Sequence, residues 1–149
     1  MPSYKGHLLG GSLAFVVFLL TALTWYALPD HRQIPTLLLI CLLAALWPDV
    51  DIKSKAQALF YKAFLVIDLL LIAEHYYKEA AFLGLFAMLP IVGKHRGWTH
   101  SLWAAFLLPI PLLFFPMFTS MDPVSSGIPY YLAALVGYLS HLLLDGKLF

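Results

Sequence analysis

LLGGSLAFVVFLLTALTWYAL, residues 8–28, carries no charge over about the twenty residues that an α-helix needs to cross a hydrocarbon core. The run follows Lys5, as the apolar part of a secretory signal would. It leaves through Trp25-Tyr26-Ala27-Leu28-Pro29, however, with no small-x-small cleavage pattern. It reads as a retained first helix, with Trp25 and Tyr26 in the interfacial belt.

Working outward, further apolar runs occupy 34–47, 56–76, 80–92, 99–118 and 128–144. The breaks carry Pro29-Asp30-His31-Arg32, Pro48-Asp49-Val50-Asp51, Lys78-Glu79, Gly93-Lys94-His95-Arg96-Gly97 and Met121-Asp122-Pro123, all turn or interface residues. Hydrophobic residues make up 62% of the 149 and charged residues 11%, against roughly 45–50% and 25% in soluble domains. So small a soluble domain would lack the polar side chains to cover its surface. The expected fold is therefore all-α: a polytopic transmembrane helical bundle of about six segments in a single domain over 1–149. Two segments, 34–47 and 80–92, are short for a full span, and both stop at polar clusters. Such an ending is tolerated where protein or water covers it.

A net charge of +1 with only two arginines, Arg32 and Arg96, excludes a phosphate-tracking face, so no nucleic-acid partner is expected. The lone cysteine, Cys41, lies inside an apolar run and reads as small core packing. An N-terminus on the cytoplasmic side gives that side Lys5, Lys53, Lys55, Lys62, Lys94, Arg96 and Lys147, leaving Arg32 and Lys78 outside. The bias puts both termini in the cytoplasm of a multi-pass protein of the plasma or inner membrane.

The same topology sends His7, Asp49, Asp51, His95, His100, His141 and Asp145 to one membrane face. A helix count wrong by one would have divided them between two. Imidazoles and carboxylates in such surroundings are costly unless they bind something. Together they are the ligand types of zinc, or of manganese where carboxylates dominate. His141 and Asp145 stand four apart and share a helix face. His95 and His100 are five apart, but Gly97 interrupts and Thr99 can cap a new helix, so a loop can bring the two imidazoles together. The set exceeds what one four-coordinate ion needs. It would suit two ions about 3.5–4 Å apart, as in two-metal hydrolysis of phosphate esters. Lys94 and Arg96 are then available for a phosphate, and a helix beginning at Thr99 would add N–H groups for the same anion. At a membrane face the expected substrate is a membrane lipid or lipid-linked phosphate.

His7, Pro48-Asp49-Val50-Asp51, the heptapeptide His95-Arg96-Gly97-Trp98-Thr99-His100-Ser101 and the nonapeptide from Gly137 to Asp145 resemble the YdjM-like family of inner-membrane proteins, assigned as metal-dependent hydrolases. That family is in turn similar to zinc-dependent phospholipase C, an α-helical enzyme in which a His-x-x-x-Asp or Glu pair on one helix ligates metal. The resemblance implies His7, Asp49, His95, His100, His141 and Asp145 as ligands, and Asp51 as a further ligand or the general base. Arg96 and Thr99 join Asp51 as the expected catalytic groups, and Lys94, Arg96 and Thr99 as the substrate-binding ones.

Other polar residues read as structural. Asp30, His31, Lys78 and Glu79 belong to solvated loops on the opposite side, and Glu74-His75 anchors a helix end there. Asp68, in mid-segment, is either cavity-facing support or a partner for another helix. Pro109, Pro111 and Pro116 should kink the fifth segment. Two rival functions remain open: a transporter or channel, which needs polar groups through the membrane depth, and a scaffold whose metal merely ties helix ends together.

Overall fold

The computed structural model describes residues 3–24, 31–51, 55–88, 98–119 and 124–147. They form α-helices and short 3-10 turns, with no strand among them. Helix α1 spans Tyr4–Thr24 and α2 spans Ile34–Leu46, running on into a 3-10 turn at Trp47–Asp51. Then come α3 (Lys55–Ala73) and α4 (Tyr77–Met88). A 3-10 turn at Trp98–His100 leads into α5 (Leu102–Leu107), followed by α6 (Ile110–Thr119) and α7 (Ile128–Leu144).

Three helices, α1, α2 and α7, pack against one another and form the frame that carries the site. Small residues let them approach closely. A Cβ on Gly137 would overlap the Cys41 carbonyl, and one on Gly11 would lie 2.9 Å from the Ala45 methyl. Cys41 Sγ also reaches the Gly11 carbonyl at 3.5 Å, so α1, α2 and α7 meet backbone to backbone in the manner of membrane helices. Below this seam Phe15, Leu37, Cys41 and Ala133 close one core cluster. A second, of Trp47, Val50, Phe60, Phe64, Ala104, Ala105, Tyr138 and Leu142, ties α3 and α5 to the frame.

On α1 the buried residues His7, Gly11 and Phe15 recur every fourth position, one helical face. The opposite face is also apolar, with Leu9 64%, Leu13 60% and Val17 61% exposed. A helix that is apolar all round but half uncovered is suited to a lipid surrounding. By length and composition α1 is, among the described residues, the one helix able to cross a membrane; Ile34–Val50, Leu102–Phe114 and Ile128–Leu144 are apolar but shorter.

Two expectations change in detail. The first helix begins at Tyr4 rather than Leu8, because the Gly6 and His7 N–H groups already donate to the Ser3 carbonyl. His7 is thereby inside the helix and not at its mouth. The fifth segment divides between Leu107 and Ile110. Pro109 cannot donate the hydrogen bond that would continue α5, whereas Pro111 fits the first turn of α6, where no donor is needed.

Candidate metal centre

Four separate stretches of chain deliver side chains to one end of the α1–α2–α7 frame. His7 comes from the first turns of α1 and is 1% exposed. Asp49 sits in the 3-10 turn between two buried anchors, Trp47 and Val50. The Trp47 ring packs on Phe86 at 4.4 Å and edge-on to Phe60 at 5.0 Å, while Gln57 donates to the Val50 carbonyl at 2.9 Å. The turn is thus pinned from both sides, and Asp49 goes where it points. Its side chain keeps 21% exposure, the most open of the set.

His141 lies in the last turn of α7, and Asp145 is the C-cap residue one turn later. Gly146 adopts φ +66, with its N–H on the Leu143 carbonyl and the Lys147 N–H on Leu142. This is the paired closure of a Schellman motif, which only a residue tolerant of positive φ completes without strain. It stops the helix at the residue that must turn its carboxylate inward. His100 arrives from the Trp98–His100 turn, which Tyr138 fastens to α7 by donating its hydroxyl to the Thr99 carbonyl.

The atoms converge closely. His7 Nε2 lies 3.7 Å from Asp49 Oδ2 and 3.6 Å from Asp145 Oδ1. His100 Nε2 lies 3.7 Å from both Asp49 Oδ1 and Asp145 Oδ2. His141 Nε2 is 3.8 Å from Asp49 Oδ1 and 3.4 Å from Asp145 Oδ2. The rings of His7 and His141 stack at 3.9 Å. Hydrogen bonds to carboxylate would be about 2.7–3.2 Å, and the imidazole nitrogens stand somewhat farther than that from both carboxylates. His100 Nε2, His141 Nε2 and both oxygens of Asp145 are buried with no hydrogen-bond partner. Buried polar atoms left unpaired carry a desolvation cost that something must offset.

A divalent cation would meet that need. Ligands about 2.0–2.2 Å from a tetrahedral ion stand about 3.3–3.6 Å from one another, close to the spacing found here. Two carboxylates with neutral imidazoles balance the ion's double charge. One ligand atom each from Asp49, His100, His141 and Asp145 lies within 4.8 Å of all the others, so this cluster could hold a metal ion. The ring orientations agree: His141 Nδ1 is 2.8 Å from the Ala45 carbonyl, so it carries the proton and leaves the Nε2 lone pair facing the carboxylates. Thr99 Oγ1 stands 3.2 Å from His100 Nδ1 and holds the ring by that nitrogen, leaving Nε2 toward the carboxylates. Burial pushes the Asp49 carboxyl up, but a hydrogen bond with His100 and, where the rings are protonated, the charges of His141, His7 and His100 outweigh it and hold it below its ordinary value. Asp49 is therefore present as the anion that an ion requires.

Of the residues singled out by sequence, the structure brings together His7, Asp49, His100, His141 and Asp145. Asp51 ends the same 3-10 turn, and its side chain lies outside the described set, as do Lys94, His95 and Arg96 entirely. Thr99 is buried beside the cluster, but the cap of α5 is Ser101, whose Oγ accepts from the Ala104 N–H at 3.2 Å. Two supporting groups escaped sequence reasoning. Tyr138 is three residues before His141 and so on its face of α7, a signal that could have found it. No signal marks the Ala45 carbonyl.

A family model described as the YdjM inner membrane protein matches residues 1–147, so the chain belongs to that family. No curated protein and no solved structure matches it.

Proposed function

We infer that this member of the YdjM inner membrane protein family is a multi-pass, metal-dependent hydrolase that cleaves a phosphoester of a phospholipid or lipid-linked substrate. The observation that carries the reading is the set of buried, unpartnered ligand atoms on His100, His141 and Asp145, gathered with Asp49 at one end of the bundle. Zinc is the proposed ion, with manganese the alternative for a carboxylate-rich set.

The way the oxygens are shared leaves room for a second ion beside the first. His7 faces Asp49 Oδ2 and Asp145 Oδ1, whereas His100 and His141 face the other oxygen of each carboxylate. Each aspartate thus presents one oxygen to either side. A divalent ion at such a site polarises a phosphoryl oxygen and acidifies water near neutral pH. The chain's own groups do the rest. Asp49, the most open of the set, marks the side from which substrate approaches, and Asp51 on the same turn is the proposed base that takes the proton from water. Lys94 and Arg96, six and four residues before His100 in sequence, are proposed to hold the substrate's anionic oxygens, with Thr99 and, as a further ligand, His95. Water's oxygen ends on phosphorus, and the departing alcohol takes up a proton.

The site residues lie at the start of α1, in the turn after α2, at the end of α7 and on the approach to α5, and we propose that they share one side of the membrane. The lysine and arginine bias makes that side the cytoplasm, with both termini there. The competing reading is a structural ion, favoured by the near-complete burial of His7, His141 and Asp145. Elemental analysis of the detergent-purified chain, together with release of phosphate or diacylglycerol from a lipid panel, separates the two. Stoichiometric metal with turnover that His100→Ala abolishes is the expected result. Metal without turnover of any phospholipid or polyprenyl phosphate would leave a structural ion instead.

A further inference from the structure

The cluster stands at the level where the outer surface of the bundle changes from charged to apolar. On α1, His7 lies between Lys5 and Leu9, which are both exposed and share one helical face. On α3 the same spacing separates exposed Lys55 from exposed Leu59. Gln57, midway between them, donates to the Val50 carbonyl at 2.9 Å and so fixes this start of α3 beside Asp49. At the end of α7, Asp145 lies between exposed Leu143 and exposed Lys147. In all three the lysine is toward the helix end and the leucine toward the helix body.

Four helical residues rise about 6 Å, and the polar layer on either side of a bilayer's hydrocarbon core is about 5–7 Å thick. Charge thus gives way to hydrocarbon over the depth of one headgroup layer, with the ligands inside that interval. His100 is flanked by aromatic residues instead: Trp98, two residues before it, is 41% exposed and Trp103, three after it, 78%. Tryptophan concentrates at the level of the lipid headgroups. Beyond Trp103 the exposed surface of α5 is apolar, with Phe106 and Leu107. Lys62 is exposed one turn deeper on α3 than Leu59, a depth from which its stem can snorkel back to the same layer.

We propose that the phosphate layer of a phospholipid leaflet passes through the level of the metal cluster, which Trp98, Trp103, Lys5, Lys55 and Lys147 hold at that depth. A headgroup phosphate is then level with the ligands, and Asp49, the most open of them, is reached without lifting a lipid out of the leaflet. The depth rests on the belt of anchors alone; only the use made of the phosphate rests on the hydrolase reading.

Spin-label accessibility tests the depth, in the full chain reconstituted into vesicles of phosphatidylcholine and phosphatidylglycerol. The buried Cys41 makes the unsubstituted chain the unlabelled control. Labels on Leu9→Cys, Leu59→Cys and Leu143→Cys are expected to relax more with oxygen, which dissolves in lipid. Those on Lys5→Cys, Lys55→Cys and Lys147→Cys should relax more with a water-soluble nickel chelate, so that the preference reverses across each interval. Trp103→Cys should fall at the crossover, with the two reagents matched. A nickel preference at all the lysine and leucine positions would stand the cluster clear of the bilayer and overturn the proposal. An oxygen preference at all of them would sink it into hydrocarbon and do the same, as would shielding of the leucine positions from both reagents, which would put a partner chain there. The reversal in a protein that hydrolyses no lipid keeps the depth and removes the hydrolase; lipid turnover without the reversal does the opposite.

Discussion

Histidine and carboxylate stand close in sequence at both ends of the bundle, as His141 with Asp145 and as Glu74 with His75, and their fates are opposite. His141 and Asp145 are buried, their Nε2 and carboxylate oxygens unbonded and facing three other ligand-type side chains. Glu74 and His75 are exposed, and His75 closes a local contact with the Tyr77 hydroxyl at 2.8 Å. Residue type is the same; what differs is convergence. One pair ends a helix packed on two others, so its groups are held out of water against a common point. The other ends α3 at the turn into α4, where water satisfies it.

The comparison breaks most sharply with the buried pair. His141→Ala or Asp145→Ala should reduce bound metal to background in the purified protein, because each removes a ligand and strands the rest, while membrane insertion persists. Metal retained in full by both would place the ion elsewhere. Next in size is the frame that imposes the burial. Gly137→Ala puts a methyl into the Cys41 carbonyl, which should cost about 1–3 kcal/mol as overpacking, read as a lower Tm in detergent. An unchanged Tm would show that α2 and α7 do not meet there.

A smaller effect sharpens the role of the supporting hydroxyl. Thr99→Val removes the Oγ1 that faces His100 Nδ1 and should weaken metal affinity by about 10–100-fold, measured by competition with a chelating dye. Wild-type affinity would mean that His100 is oriented by packing alone. The smallest change is expected at the other end, where His75→Ala should alter stability by no more than about 0.5 kcal/mol and leave metal content untouched. A metal loss there would abolish the contrast between the two ends.

Much of this was legible in sequence because hydropathy and helical spacing are local. The last apolar run, 128–144, is α7 to the residue, and the spacing of His141 and Asp145 placed both on one face. Proline chemistry announced a break in the fifth segment but not that Pro109 would separate two helices. The start of α1 was hidden because Tyr4-Lys5-Gly6-His7 is polar, and a hydropathy window cannot tell a polar helical turn from a loop. Thr99 and Ser101 carry the same capping signal two residues apart, and only tertiary contact decides between them. Tyr138 fastens Thr99 across 39 residues of sequence. The Ala45 carbonyl orients His141 across 96. Such contacts depend on how three helices pack, which no single helix encodes.

X-ray absorption at the metal edge, on the purified chain reconstituted with zinc, tests the shared site most directly. Asp49, His100, His141 and Asp145 as joint ligands require a stoichiometric ion with a mixed imidazole and carboxylate shell at about 2.0–2.2 Å, and loss of the imidazole scattering in step with His100→Ala and His141→Ala. A folded protein that takes up no zinc or manganese, or one whose shell is unchanged in both variants, would contradict it.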